Sequence, residues 1–203
     1  MTSQRILVVG ASGLIGGAVA DLLEQRGHEV VRASRSSGER VDLTDESSIA
    51  ALYERITADA PLHAVVAATG KVPFAAASEL TVEDYRAGLL DKALGQIALV
   101  VHGAPLLTGR GSFTLTSGIL SHSPVPTGAA ASAANGAVDG FVRAHGATLP
   151  GGTRINAVSP TVLAEAEGYH PSFPGFLPVP AADVASTYVR SVEGVETGRV
   201  LTV

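Results

Sequence analysis

Apolar residues fall along this chain in two alternating patterns, and their order predicts the architecture. Short runs dense in apolar residues, as expected of strands buried on both faces, occupy residues 6–9, 28–34, 62–69, 111–117, 152–159 and 198–203. The stretches between them repeat apolar side chains at helical spacing. Leu14, Ile15, Ala18, Val19, Leu22 and Leu23 make the first, ended by Gly27. Residues 45–57 set Ile49, Leu52, Tyr53 and Ile56 on one side, with Thr44 or Asp45 as N-cap. Thr81 caps a long helix expected to reach about residue 107, residues 127–149 form a helix rich in Ala, Gly and Ser, and residues 181–192 form the last. Strand alternating with helix throughout predicts an α/β fold: one doubly wound parallel sheet with helices on both faces, a single Rossmann-type domain over residues 1–203. Only residues 160–180 break the rhythm, with Pro160, Pro171, Pro174, Pro178 and Pro180. That is too long for a plain connection and reads as a substrate loop or lid carrying Tyr169, His170, Phe173 and Phe176, or as an ordered loop whose aromatics pack on the sheet.

Composition narrows the chemistry. The 203 residues are 46% hydrophobic and 16% charged, with no cysteine. Disulfides, zinc–thiolate sites and thiol nucleophiles are therefore excluded, and no histidine pair has metal-ligand spacing, so no metal is expected. The net charge of −5 and the lack of a basic block give no reason to expect nucleic acid or an anionic membrane as partner. The longest apolar stretch, residues 97–107, is interrupted by His102 and Pro105, and the N-terminal apolar run is too short for a signal-peptide core. The expectation is a cytoplasmic protein acting on a small molecule.

The first strand runs straight into Gly10-Ala11-Ser12-Gly13-Leu14-Ile15-Gly16, which opens the first helix. Strand, glycine turn and helix together are the context in which such glycines bind a dinucleotide. Gly10 permits the tight turn, Gly13 lets backbone approach a pyrophosphate, and Gly16 lets helix and strand pack closely. The helix N-terminus, with Ser12, Leu14 and Ile15 around it, favours the phosphates. At the end of the second strand, where an acid would select NAD by its ribose hydroxyls, the chain has Arg32, Ser34, Arg35, Ser36 and Ser37. A guanidinium flanked by hydroxyls suits a 2′-phosphate, so NADP(H) is expected, with Arg35 as the leading contact and Ser34 and Ser36 beside it. The plainer reading makes these arginines solvated loop charges.

These landmarks, in this order, resemble the short-chain dehydrogenase/reductase family nearly end to end. Asp42-Leu43 stands at the family's adenine contact, Ala67-Ala68-Thr69-Gly70 at its Asn-Asn-Ala-Gly strand end, and Thr116-Ser117-Gly118 at its catalytic serine strand. Residues 154–161 match its Val-Asn-x-Val-x-Pro-Gly run, which implies cofactor contacts at Pro160 and Val162 besides Ala68, Thr69 and Gly70. The resemblance implies hydride exchange with a carbonyl, in which a tyrosine moves the proton, a lysine one helical turn later lowers its pKa, and a serine orients the oxygen. Here the chain departs from the pattern. Aligned on Gly136-Ala137-Val138-Asp139-Gly140-Phe141, the tyrosine position falls on Ala131 and the lysine position on Asn135, and no tyrosine lies between Tyr85 and Tyr169. Only Ser117 is retained. The family's asparagine position falls on Lys92, whose amine would reach toward the space of the missing lysine. His122, five residues beyond Ser117, has the pKa range for acid–base work.

The sequence thus supports an NADP-dependent oxidoreductase for a small carbonyl or enone, acting through Ser117, Lys92 and His122. It leaves open an NADP(H)-binding protein without redox turnover, serving as a sensor or partner module, and a non-redox cyclase or isomerase on the same fold. The small residues 128–134 predict a homodimer or homotetramer, although packing on the protein's own sheet accounts for the same composition.

Overall fold

The first apolar run folds as β1 (Arg5–Val9) and its alternate side chains feed two cores. Ile6 and Val8 point to a layer with Val19, Leu23, Val184 and Tyr188, while Leu7 and Val9 point to one with Leu52, Tyr53, Leu99 and Phe113. In the computed structural model, which describes residues 3–203, the elements after β1 are α1 (Leu14–Gln25), β2 (Glu29–Ser34), β3 (Glu39–Arg40), α2 (Glu46–Asp59), β4 (Leu62–Ala67), α3 (Val82–Gly88), α4 (Gly95–Gly103), β5 (Leu107–Thr116), α5 (Ala129–His145), β6 (Arg154–Ser159), α6 (Ala181–Glu193) and β7 (Arg199–Thr202). The strands form one parallel sheet in the order β3-β2-β1-β4-β5-β6-β7. Layer one carries α1 and α6 and layer two carries α2, α4 and α5. The expected doubly wound α/β architecture is the one observed. Strand order reverses direction between β1 and β4, and a crevice opens there beyond the carboxyl ends of the strands.

Three details differ from the expectation. The two-residue edge strand β3 was not anticipated, because so short a run carries no apolar period. The long helix from Thr81 is interrupted by a π-helical turn, Leu89–Leu94, between α3 and α4. It stops at Gly103 instead of near residue 107: the chain tightens into a 3₁₀ turn containing Pro105, and Leu107 already belongs to β5.

Residues 160–180 are anchored at both ends. Leu163 pairs with Val179, and the Glu165 carboxylate accepts the Ala181 N–H at 3.0 and 3.1 Å, capping α6 where Pro180 offers no side-chain acceptor. Between these ties a 3₁₀ helix, Glu167–Ser172, carries Tyr169, and Phe173 packs with Leu120, Val125, Ala131 and Val162. Among the described residues, no helix is long and apolar enough to cross a membrane.

A compact ion cluster fastens α1 to α6. Glu193, at the end of α6, accepts both Arg26 Nε and Nη2 at 2.6 Å and faces His28 Nε2 at 3.0 Å. His28 Nδ1 accepts the Gln4 N–H, which leaves the ring proton on Nε2 for Glu193. These donors, the arginine foremost, pull the Glu193 carboxyl down to about 2. A carboxyl depressed in the folded state stabilises it above the ordinary glutamate range, and that contribution drains away as pH falls from about 4.5 toward 2. Glu193→Gln is expected to lower Tm by roughly 5 °C at pH 7. The gap to the parent should close as thermal melts are repeated at falling pH through that window, and a gap that does not vary with pH would contradict the assignment.

Candidate active site

Where β1 ends, Gly10 turns the chain with φ +86°. A Cβ there would lie 2.3 Å from Ala68 O, and one at Gly16 would lie 2.1 Å from Gly10 O, so both positions exclude any side chain. The Gly10 N–H donates to Ala33 O at 2.8 Å and the Ala68 N–H to Val9 O at 2.9 Å, locking the turn to β2 and β4. α2 is capped by Asp45 and α3 by Thr81, but α1 starts at Gly13 with no side-chain cap. Its first N–H groups are left for an external acceptor.

In front of that helix end lies a cavity of about 250 Å³, bounded by Gly10, Ser12, Gly13, Ser34, Arg35, Ser36, Asp42, Leu43, Ala68 and Thr69. Ser34 Oγ accepts the Ser37 N–H at 2.9 Å and faces Ser37 O and Oγ, so it builds the loop instead of pointing outward. Arg32 is drawn away onto α1, pairing with Asp21 at 2.6 Å and Glu24 at 2.9 Å. Arg35 is the cation left at the cavity; it borders this space and the next, 3.8 Å from Asp91. Asp42 accepts the Thr44 N–H and hydroxyl at 2.9 and 2.8 Å, which holds its carboxyl below the usual range.

A second cavity, about 510 Å³, continues along the strand ends past Leu14, Ile15, Gly70, Lys71, Thr116, Ser117 and Pro160 to the Pro-rich segment, where Leu163, Tyr169 and Phe173 wall it. Lys92 enters it from the π-helical turn. Gly70, at φ +127°, has no side chain to block the lysine stem, for a Cβ there would lie 2.5 Å from Lys92 Cγ. Lys92 Nζ donates to Ser117 O at 3.0 Å, Ser117 Oγ donates to Asn135 O at 3.3 Å, and Asn135 Nδ2 donates to Gly118 O at 3.3 Å. One knot therefore joins the π turn, the end of β5 and α5. Ala131 contributes only a methyl to the same wall, and the buried Asn135 Oδ1 has no hydrogen-bond partner among the described residues.

Most of the residues marked in the sequence meet along these two cavities. Gly16 sits behind them in the turn, and Val162 lies in the apolar cluster under the Pro-rich segment. His122 is exposed outside the cleft with Nδ1 2.7 Å from Ser121 Oγ, and His170 is turned to Leu163 O. Two contributors went unmarked. Gln96, fully buried, donates to Lys92 O and Thr116 O at 2.9 Å and accepts the Thr116 N–H at 2.7 Å, bracing the π turn against β5. Its signal was a lone amide in the apolar helix 95–101. Asp139, buried one turn after Asn135, bears on Lys92 electrostatically.

The family model described as Enoyl-(Acyl carrier protein) reductase matches residues 10–185. Cis-4-hydroxycyclohexanecarboxylate dehydrogenase of Sinomonas cyclohexanicum is 33% identical over 181 residues, covering 78% of this chain and 73% of its own. The chain belongs to the short-chain dehydrogenase/reductase superfamily. Among solved members, the protein lin1944 from Listeria innocua superposes with a TM-score of 0.94 at 44% identity, covering 99% of this chain and all of its own. A small-chain dehydrogenase in complex with NADPH gives 0.85 at 25% identity over 100% of this chain and 97% of its own. This short-chain dehydrogenase/reductase thus belongs to a family of oxidoreductases that bind a nicotinamide cofactor.

Burial lowers the Lys92 amine to about 8, and the nearby Asp139 carboxylate works in the opposite direction, favouring the ammonium. With only two lysines in the chain, an NMR titration of the side-chain Cε signals resolves Lys92 directly. Its midpoint is expected near pH 8 and should move lower in Asp139→Asn. A midpoint unmoved by that change would remove Asp139 from the site.

Proposed function

We propose that this protein is an NADP(H)-dependent oxidoreductase for a small carbonyl or enone, with Lys92 standing in for the family's tyrosine as proton donor. The observation that carries the reading is the Lys92 ammonium 3.0 Å from Ser117 O, on the wall where Ala131 presents only a methyl. The first cavity fits the cofactor: its backbone cradle admits no Cβ at Gly10, and the uncapped start of α1 awaits an anion. Gly10, Ser12, Gly13, Leu14, Ile15 and Gly16 would hold the pyrophosphate turn. Arg35 and Ser36, on the loop shaped by Ser34, would take the 2′-phosphate. Asp42 and Leu43 would face the adenine, and Ala68, Thr69, Gly70, Pro160 and Val162 would back the nicotinamide half. When bound, the nicotinamide supplies or accepts the hydride.

The protein's own groups do the rest. Ser117 Oγ turns from Asn135 O to hydrogen-bond the reacting oxygen. Lys92 gives its proton to that oxygen, or to the enolate of a conjugated substrate, and regains one from solvent. Residues 160–180 supply the substrate loop that walls the site. The relative from Sinomonas, named for an alcohol dehydrogenation, supports the same class of chemistry. Leu94 and Val101, seven residues apart on one helical stretch, are 54% and 62% exposed, which favours a homodimer or homotetramer. Light scattering at micromolar concentration should give a mass of two or four chains.

Nicotinamide fluorescence titrations are expected to show tight NADPH binding, weaker NADH binding, and loss of the preference by at least tenfold in Arg35→Ala. Reduction should slow as pH rises through about 8, where Lys92 loses its proton, and Lys92→Met should lower kcat by roughly 10²-fold while leaving NADPH affinity intact. Tight NADPH binding without turnover across a carbonyl and enone panel would favour the binding-protein reading, for which Ala131 in the tyrosine's place speaks. Product formed without NADPH consumption would favour a cyclase or isomerase.

A further inference from the structure

One charged group in the second cavity has no task in that mechanism. The chain has two lysines against twelve arginines, and both lysines line this one cavity. Arginine serves at the ion pairs of α1, α2 and α6, whereas lysine, with its compact and turnable ammonium, occurs in the chain only on the lining of this cavity. Lys71 follows Gly70 directly. Its backbone N–H donates to Asp91 Oδ1 at 2.7 Å, and the other Asp91 oxygen faces Arg35 at 3.8 Å. That carboxylate is thus committed elsewhere, and the exposed Lys71 ammonium makes no ion pair among the described residues.

Asp91 sits behind Lys71, but the charge on the cavity's own lining is one-sided. Arg35, Lys71 and Lys92 line the cavity together with no carboxylate, on a chain of net charge −5. A cleft with one sign of charge and apolar walls concentrates ligands of the opposite sign. Arg35 also borders the first cavity, where the cofactor's phosphates belong, whereas Lys71 borders the second cavity only. Beside Lys71 the wall turns apolar and aromatic: Val72, Phe74 and Leu120, with Phe74 edge-on to Tyr169 at 5.5 Å and tilted against Phe173 at 6.2 Å. Such ring edges suit a ring-shaped apolar body.

We propose that the substrate is an apolar, ring-bearing carboxylic acid, its carboxylate held by Lys71 and its ring against Phe74, Tyr169 and Phe173. This rests on the oxidoreductase reading only for the reacting end, which lies at Ser117 and Lys92.

The test is calorimetric titration of the NADPH-loaded protein with phenylacetate and with phenylacetamide, probes of one shape that differ in charge. Phenylacetate should bind at least tenfold tighter, with a preference that shrinks as salt is added. Lys71→Met, an exposed change, should abolish the preference and alter NADPH affinity less than twofold. Equal binding of acid and amide, or a preference that survives Lys71→Met, overturns the proposal. A tenfold loss of NADPH affinity in Lys71→Met also overturns it, by assigning the ammonium to the cofactor. Failure of the wild type to bind NADPH defeats the oxidoreductase reading instead, and the same acid–amide comparison on the nucleotide-free protein then still decides the carboxylate site.

Discussion

Backbone against backbone, at the exit of β1, is the contact on which the rest of the molecule depends. Gly10 meets Ala68 O and Gly16 meets Gly10 O at distances no side chain could share. This allows β1, β4 and the start of α1 to converge at the point where the strand order reverses. Convergence there opens the crevice, presents uncapped N–H groups to it, and fixes β4 so that residues 68–70 run along its floor. Gly70 extends the same logic: its missing side chain is the passage through which Lys92 reaches Ser117.

The second cavity shows a familiar frame carrying exchanged side chains. In the pattern this chain resembles, α5 brings the phenol and the amine while the preceding helix brings an amide. Here α5 brings a methyl and an amide, Ala131 and Asn135, and the amine of Lys92 comes from the π-helical turn before α4. The π turn frees a backbone carbonyl, and Gln96 answers it while also gripping Thr116 on both its N–H and C=O. The amine is therefore held by a braced turn, where burial lowers it to about 8 against the opposing pull of Asp139.

The fold was legible because its signals are local and periodic. Strand runs, helical spacing, the glycine turn and the Thr81 cap are read from neighbours a few residues apart, and of the two caps open for α2, Thr44 and Asp45, the structure uses Asp45. Element ends were harder. The π turn is tied by Lys92 to Ser117, far away in sequence, and the stop at Gly103 coincides with the 3₁₀ turn at Pro105, which leaves no apolar period to mark it. Arg32 and Arg35 look alike in the sequence, and the structure separates them: Arg32 is drawn onto Asp21 and Glu24 of α1, whereas Arg35 borders the first cavity. His122 and Lys92 looked comparable as letters. Three-dimensional placement separates them, one in solvent beside Ser121 and one in the cleft beside Ser117.

The ties at the base of residues 160–180 have a consequence for how such a protein diversifies. Leu163 with Val179, and Glu165 with the start of α6, close the segment at its root, so the sheet and α6 are indifferent to what the chain does between. Lengthening or exchanging that interval adds only a slowly growing loop entropy. The segment is in effect a cassette held at its root and by Phe173: the rest of the face it turns to the cleft can be rewritten while the frame beneath keeps its geometry.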